Sequence, residues 1–123
     1  MTTPPLQLIE RVDGNATVLA ADGIVDMAAA PTLTDRIRVI LRRRPSILVV
    51  DLTAVAFLAT AGMSVLMETK RKCDELSIGF RVVAVGPVTV KSMQLLGIDD
   101  LLDLYPTVDT ALGATPPSPT PSA

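Results

Sequence analysis

Residues 47–63 read ILVVDLTAVAFLATAGM, and this stretch contains the signals from which the fold is predicted. Residues 47–50 are apolar at every position and lie between Ser46 and Asp51, which is typical of a central strand covered on both faces. We expect this strand to end at Asp51, a short loop to follow, and a helix to begin just after Thr60. The carboxyl ends of strands are where α/β folds engage ligands and partners, so residues 51–63 are the first place to look for function.

The segments on either side alternate between strand and helix patterns. The predicted strands are 6–10, 17–21, 47–51, 80–85 and 103–105. The predicted helices are 31–44, 61–76, 88–96 and 108–112. Pro31 suits a first helical turn, Gly97 a helix end, and Thr107 the N-cap of the last helix. The sequence therefore predicts an α/β domain in which a mixed sheet of about four to five strands packs against about four helices.

The two ends of the chain differ from the predicted folded unit, residues 6–113. Residues 1–5 form a short N-terminal extension without the features of a signal peptide. Residues 114–123 read ATPPSPTPSA, carry no charge and are expected to form a disordered, proline-rich tail. No apolar run is long enough to cross a membrane, and the single cysteine has no partner, so we expect a cytoplasmic protein that does not contact membranes.

The composition excludes several classes of function. The chain has 123 residues, with no histidine, one cysteine and 2% aromatic residues. Without histidine the usual general base and the commonest metal ligand are missing, and one cysteine cannot form a thiolate cluster. Few rings remain for stacking on nucleic-acid bases. We expect a protein that is not an enzyme, needs no metal or cofactor, and does not bind nucleic acid directly.

Charged residues are unevenly distributed along the chain. Residues 1–35 carry one basic and five acidic groups, residues 36–91 carry ten basic and four acidic groups, and residues 92–123 carry four acidic groups and no basic one. Such a separation steers a charged protein partner toward one face. The alternative interpretation is that these charges only solvate helix surfaces.

Three segments resemble one bacterial family. DLTAVAFLATAGM at 51–63 resembles the signature D-L-S-x-V-x-F-[LM]-D-S-[ST]-G-L-G of STAS domains, specifically of anti-sigma-factor antagonists. GIVD at 23–26 with APTL at 30–33 is similar to the family's G-E-[LIV]-D…A-P-x-L segment, and residues 88–98 are similar to its late helix ending. The segments occur in the family's order, and the resemblance covers about residues 6–112.

The resemblance implies a STAS fold and a small cytosolic protein, monomeric when free, that binds an anti-sigma factor, often one with serine/threonine kinase activity. In the family, the unphosphorylated antagonist sequesters the anti-sigma factor and so frees a sigma factor for transcription. Phosphorylation of one serine breaks that complex, and this serine corresponds to Thr60. The expected partner-binding residues are Asp26, Ala59, Thr60, Ala61, Gly62, Met63, Met67 and Lys70.

The chain departs from the family pattern at four positions. Ala59 replaces the motif aspartate, Ala61 the next hydroxyl residue, Ser64 a glycine and Ile24 a glutamate. The two missing carboxylates change the acidic surroundings of Thr60 and with them kinase recognition. Ser64, one helical turn further on, is a second and less accessible phosphate acceptor. The alternative role for Thr60 is a plain helix N-cap.

Other residues near this motif have two interpretations each. Asp26 is either a partner contact or a turn-stabilising residue. Met63, Met67 and Lys70 recur at helical spacing, which is typical of an adaptable partner surface and also of packing at the edge of a core. Cys73 lies on the predicted buried face, and we expect a core residue there rather than a redox sensor.

Two other functions remain open from the sequence. A STAS adapter subunit of a transporter or signalling assembly shares the fold but contacts a transporter ATPase or a scaffold, and the altered motif at 58–62 is compatible with it. The rival of a different class is an enzyme that binds a small ligand or nucleotide. The lack of histidine and of a glycine-rich phosphate loop disfavours that enzyme.

Overall fold

Residues 6–113, the part of the chain that the computed structural model describes, form a five-stranded sheet with helices on both faces. The strands are β1 (Gln7–Asp13), β2 (Ala16–Val25), β3 (Ile47–Leu58), β4 (Gly79–Val83) and β5 (Leu104–Tyr105). They lie in the order β1-β2-β3-β4-β5, with β1 and β2 antiparallel and each other neighbouring pair parallel. The predicted mixed α/β architecture is confirmed. The predicted extension and tail, residues 1–5 and 114–123, lie outside the described residues.

The helices divide the hydrophobic core into two layers. They are α1 (Ala30–Arg42), α2 (Thr60–Leu76), α3 (Ser92–Leu95) and α4 (Val108–Gly113), with a π-helical turn over Pro87–Lys91 before α3. The larger core lies between one sheet face and α1, α2 and α3. The smaller core lies between the other face and α4, where Val18, Val49 and Val83 pack with Ala111.

Strand β3 is seven residues longer than the sequence predicts, because it continues through Leu58 instead of ending at Asp51. The loop predicted after Asp51 is therefore wrong. Asp51 pairs with Ala20, and the register then shifts twice, so that β3 contributes one extra residue at each shift before Val25 pairs with Leu58. Such β-bulges break the two-residue alternation by which a strand is recognised in a sequence.

The ends of two helices have left-handed backbone at residues other than glycine. Arg44, which follows α1, has a φ of 53°, and Ser77, which follows α2, has a φ of 59°. This conformation costs an L-residue roughly 1 kcal/mol relative to right-handed backbone. The end of α3 follows the common rule instead, since Gly97 has a φ of 70° and the Ile98 N–H donates to the Met93 carbonyl at 3.0 Å.

Candidate functional site

The carboxyl edge of the sheet is where the family-like motif folds. Val25 and Leu58 are paired at the ends of β2 and β3, and the Ala59 N–H donates to the Val25 carbonyl at 2.9 Å. Ala59 has extended backbone, with a φ of −81° and a ψ of 168°, and α2 begins at the next residue. The motif therefore passes from strand to helix within one residue, which fixes the position of Thr60.

Thr60 is exposed and is the first residue of α2. The prediction of Thr60 as the N-cap is wrong, because Ala59 holds that position and the helix start has no side-chain cap. Within residues 6–113 the Thr60 hydroxyl makes no hydrogen bond. The first turn of α2 contains no acidic residue, so no carboxylate of that turn offsets the positive end of the helix dipole. Asp100, from another segment, lines the groove beside Thr60.

Gly62 is a packing residue beneath this exposed position. A Cβ atom at residue 62 would lie 2.6 Å from Val25 Cγ1 and 2.7 Å from Leu58 Cδ1. The absence of a side chain therefore lets α2 approach the ends of β2 and β3 closely. Gly62 itself is buried, so its main effect on any partner is to place Thr60.

A groove of about 770 Å³ lies beside Thr60, between α2 and residues 96–101. We call it the Thr60 groove. Its lining brings together four of the predicted site residues and Ser64, together with three apolar residues that follow α3. The first set is Thr60, Met63, Ser64, Met67 and Lys70, and the second is Leu96, Ile98 and Leu101.

The predicted methionine stripe is only partly a surface. Met63 is buried within the larger core, with 6% of its surface exposed, so little of it can touch a partner. Met67 and Lys70 are half-buried and accessible along the groove, and Lys70 Nζ lies 2.9 Å from Asp74 Oδ1. Both interpretations from the sequence therefore apply: Met63 packs in the core, whereas Met67 and Lys70 are accessible to a partner.

Asp26 and Ala61 do not line the groove. The Asp26 side chain has a local task, since Oδ1 accepts a hydrogen bond from the Ala29 N–H at 2.9 Å in the turn before α1. This supports the interpretation of Asp26 as a turn-stabilising residue. A partner contact at Asp26 stays a prediction.

The sequence analysis missed a rim of exposed apolar side chains at the same edge. They follow β2 or β4, lie at the end of β3, or belong to the region of α3: Met27, Phe57, Val85, Val88, Leu95, Leu96 and Leu101. Met27 and Leu95 are the most exposed, at 78% and 77%. One signal of this exposure was available in the sequence. Leu95 and Leu96 are adjacent, so in a helix that buries Met93 they point in different directions and cannot both face the core. We call this set the apolar rim.

Cys73 is fully buried, as the sequence predicts. Burial raises the pKa of its thiol to about 11, with the nearby Asp74 carboxylate contributing in the same direction. A thiol with so high a pKa is a weak nucleophile near neutral pH. Across residues 6–113, no three His, Cys, Asp or Glu side chains are placed to hold a metal ion. None of the helices described is both long and apolar enough to span a bilayer.

Residues 7–111 match the family model of the STAS domain. The chain is 34% identical over 113 residues to the anti-sigma-F factor antagonist RsfB of Mycobacterium tuberculosis, an alignment that covers 91% of this chain and 92% of that relative. The crystal structure of an anti-sigma factor antagonist from Mycobacterium paratuberculosis superimposes with a TM-score of 0.83 at 35% identity, covering 90% of this chain and 96% of that one. The unphosphorylated form of the antagonist SpoIIAA, at 17% identity and a TM-score of 0.71, shares the fold over 87% of this chain and 92% of its own.

Proposed function

This chain belongs to the STAS-domain family, and we propose that it is an anti-sigma-factor antagonist that binds and sequesters an anti-sigma factor in the cytosol, freeing a sigma factor. The observation that carries the proposal is the 34% identity to the antagonist RsfB over 91% of the chain. The proposed activity is protein binding by a chain that is monomeric when free, with no catalytic step of its own.

The apolar rim and the Thr60 groove are the proposed binding surface. The rim presents Met27, Phe57 and Leu95 to solvent around an exposed hydroxyl. Exposed apolar groups gathered at one edge stabilise a complex when a partner removes them from water. Both surfaces contain residues from separate segments of the chain, so recognition depends on the folded domain rather than on one linear segment.

We further propose that phosphorylation at Thr60 dissociates the complex. A phosphate at the first residue of α2 is compatible with the fold, because the helix N-terminus favours negative charge and no carboxylate lies in the first turn. The same charge opposes partner binding, since burying it beside the apolar rim requires its desolvation. Ser64 lies within the helix at the same groove and is the weaker acceptor.

We expect Thr60→Glu to keep the fold and to weaken the anti-sigma complex by at least about tenfold, or roughly 1.4 kcal/mol. The matched control is Ser46→Glu, which adds the same charge at an exposed position on the opposite edge of the sheet. The proteins captured from the source cytosol by the wild type are identified by mass spectrometry. The affinity of the captured anti-sigma factor for each variant is then measured by titration calorimetry.

The possible outcomes distinguish binding of the anti-sigma factor from regulation of that binding at Thr60. An anti-sigma factor that binds the wild type and Ser46→Glu but not Thr60→Glu supports both parts of the proposal. Equal affinity for all three proteins would remove the switch and leave a constitutive antagonist. Capture of a transporter ATPase or scaffold, with no anti-sigma factor, would contradict the proposed function and favour the adapter role.

A further inference from the structure

A second groove, of about 870 Å³, lies on the other side of α2, between α2 and α1. Its floor is apolar and includes Ile37, Leu41, Val65 and Leu76. Its rim contains five basic side chains and a single acidic one, Glu68. The basic residues are Arg38, Arg42, Arg44, Arg71 and Lys72. We call this the cationic groove.

Within residues 6–113, two of the five basic side chains of the cationic groove have ion-pair partners and the other three do not. Arg38 pairs with Asp35, and Arg71 pairs with both Glu68 and Glu75. Glu68 Oε1 lies 2.5 Å from Arg71 Nη2, so the one carboxylate of the lining is already paired. In this part of the chain, no carboxylate lies within ion-pairing distance of Arg42, Arg44 or Lys72. Like charges gathered along one groove repel one another, and an anionic partner would relieve that repulsion.

Arg44 also lies where an arginine is unfavourable for the backbone. Its φ of 53° is left-handed, a conformation that glycine or asparagine adopts more readily. Despite this, its side chain lines the groove. The backbone conformation belongs to the end of α1, where the Arg44 N–H donates to the Leu41 carbonyl at 3.1 Å, and Ser77 ends α2 with a similar φ. Arg44 therefore contributes to the groove through its charge.

We propose that the cationic groove binds an acidic amphipathic helix of a protein partner, on the α1 side of α2. The groove shares Ser64, Glu68 and Arg71 with the Thr60 groove but not Thr60 itself. The lining residues of α1 extend from Thr34 to Arg42, a rise of roughly 12 Å at 1.5 Å per residue, which corresponds to about two helical turns, and Arg44 follows directly after the helix. An apolar stripe would lie against Val65 and Leu76, the half-buried residues of the floor, and flanking carboxylates would pair with the unpaired cations of the rim. A free phosphate fits less well, because Arg42 and Arg44 lie at the C-terminal end of α1, where the backbone presents carbonyls rather than N–H groups.

The direct test titrates the isotope-labelled full chain with two synthetic helical peptides of about 15 residues, or roughly four turns. In both peptides leucine recurs at i, i+3, i+4 and i+7, and the remaining charged positions are all glutamate in one and all lysine in the other. We expect the glutamate peptide to shift the amide resonances of groove residues and to bind at least about tenfold more tightly than the lysine peptide. Equal binding of the two peptides, or shifts confined to the Thr60 groove, would overturn the proposal.

Arg44→Gly separates recognition from stability. It relieves the left-handed strain while removing one cation, so we expect an unchanged or higher melting temperature together with several-fold weaker binding of the glutamate peptide. Ser77→Gly is the matched control, because Ser77 has a similar φ of 59° and does not line the groove. Wild-type peptide affinity in Arg44→Gly and in Arg38→Glu/Arg42→Glu would sink the proposal.

Two further experiments test whether the cationic groove binds something other than an acidic helix. Vesicles of phosphatidylglycerol that shift groove amides when the glutamate peptide does not would assign the groove to an anionic lipid surface. Concentration-dependent dimers in sedimentation velocity, lost in Arg38→Glu/Arg42→Glu, would assign it to a second copy of the chain. Either result contradicts the proposed occupant. Thr60→Glu is expected to bind the peptide like the wild type, so the failure of this proposal is distinguishable from that of the anti-sigma function.

Discussion

At the scale of single residues, the exposed hydroxyl of Thr60 depends on small neighbours. Ala59 accommodates the change from strand to helix, and Gly62 allows α2 to approach Val25 and Leu58. Neither residue offers a polar group to a partner. The exposed position of Thr60 therefore depends on neighbours that occupy little space.

Replacement of Gly62 with alanine tests this dependence. The new Cβ would lie within 2.7 Å of both Val25 Cγ1 and Leu58 Cδ1, and neither of those short side chains can move away freely. We expect Gly62→Ala to lower the free energy of unfolding by about 1–3 kcal/mol, as in other overpacked cores. Urea denaturation measures this. Gly113→Ala is the control, because a Cβ there meets no atom within 4 Å, and a comparable loss in both variants would refute the packing argument.

At the scale of elements, the short helix α4 depends on polar contacts with its neighbours. Six residues are too few to form a stable helix alone. Arg81, with 2% of its surface exposed on β4, donates a hydrogen bond to the Ala111 carbonyl, and its guanidinium lies 5.7 Å from the centre of the Tyr105 ring. Thr107 caps the other end, since its Oγ1 accepts from the Thr110 N–H at 3.0 Å. These contacts hold α4 over the smaller core.

Loss of the cap is expected to loosen α4. Thr107→Ala removes the acceptor for the Thr110 N–H, which costs about 1 kcal/mol at a helix N-terminus. Hydrogen exchange should show faster exchange of the α4 amides, with α1 and α2 protected as in the wild type. Ser64→Ala, an exposed change within α2, should leave the α4 amides unaltered. Unchanged α4 protection in Thr107→Ala would show that Arg81 alone is sufficient to hold the helix.

At the scale of the whole molecule, each of the two cores contains or contacts one side chain that ionises at alkaline pH. Cys73 is buried under α2 in the larger core, and Tyr105 packs against the smaller one. Burial raises the pKa of both side chains, with Asp74 acting in the same direction on Cys73 and Asp103 on Tyr105. A group with a raised pKa in the folded chain favours folding only while it keeps its proton.

The expected result is a loss of stability as the pH rises from about 9 toward 11. Below pH 9 the Cys73 thiol is protonated whether the chain is folded or not, since its ordinary pKa is 9.0 and its folded pKa is about 11. Between these values the unfolded chain releases the proton first, so ionisation favours unfolding. Urea midpoints measured across this range should fall less steeply in Cys73→Ala, and less steeply again when Tyr105→Phe is added. An identical decrease of the urea midpoint with pH in the wild type and both variants would refute the assignment of the stability loss to Cys73 and Tyr105.

Local patterns predicted much of this molecule. The strand and helix order, Pro31 in the first turn of α1, the helix end at Gly97 and the cap at Thr107 follow from residues close together in the chain. The resemblance of residues 51–63 to the STAS signature placed Thr60 at the start of a helix. These features are predictable because backbone geometry and capping act over a few residues.

The sequence by itself determined the fold class, the family and the exposed hydroxyl of Thr60; the tertiary structure alone decided the surfaces around it. The two register shifts carry β3 to Leu58, well past Asp51, where β4 ends. The apolar rim comes from the end of β3, the segments after β2 and β4, and the region of α3. The cationic groove likewise joins side chains from α1 and α2, two helices that the whole of β3 separates in the chain. Such surfaces depend on packing between distant segments, and no local periodicity records that packing.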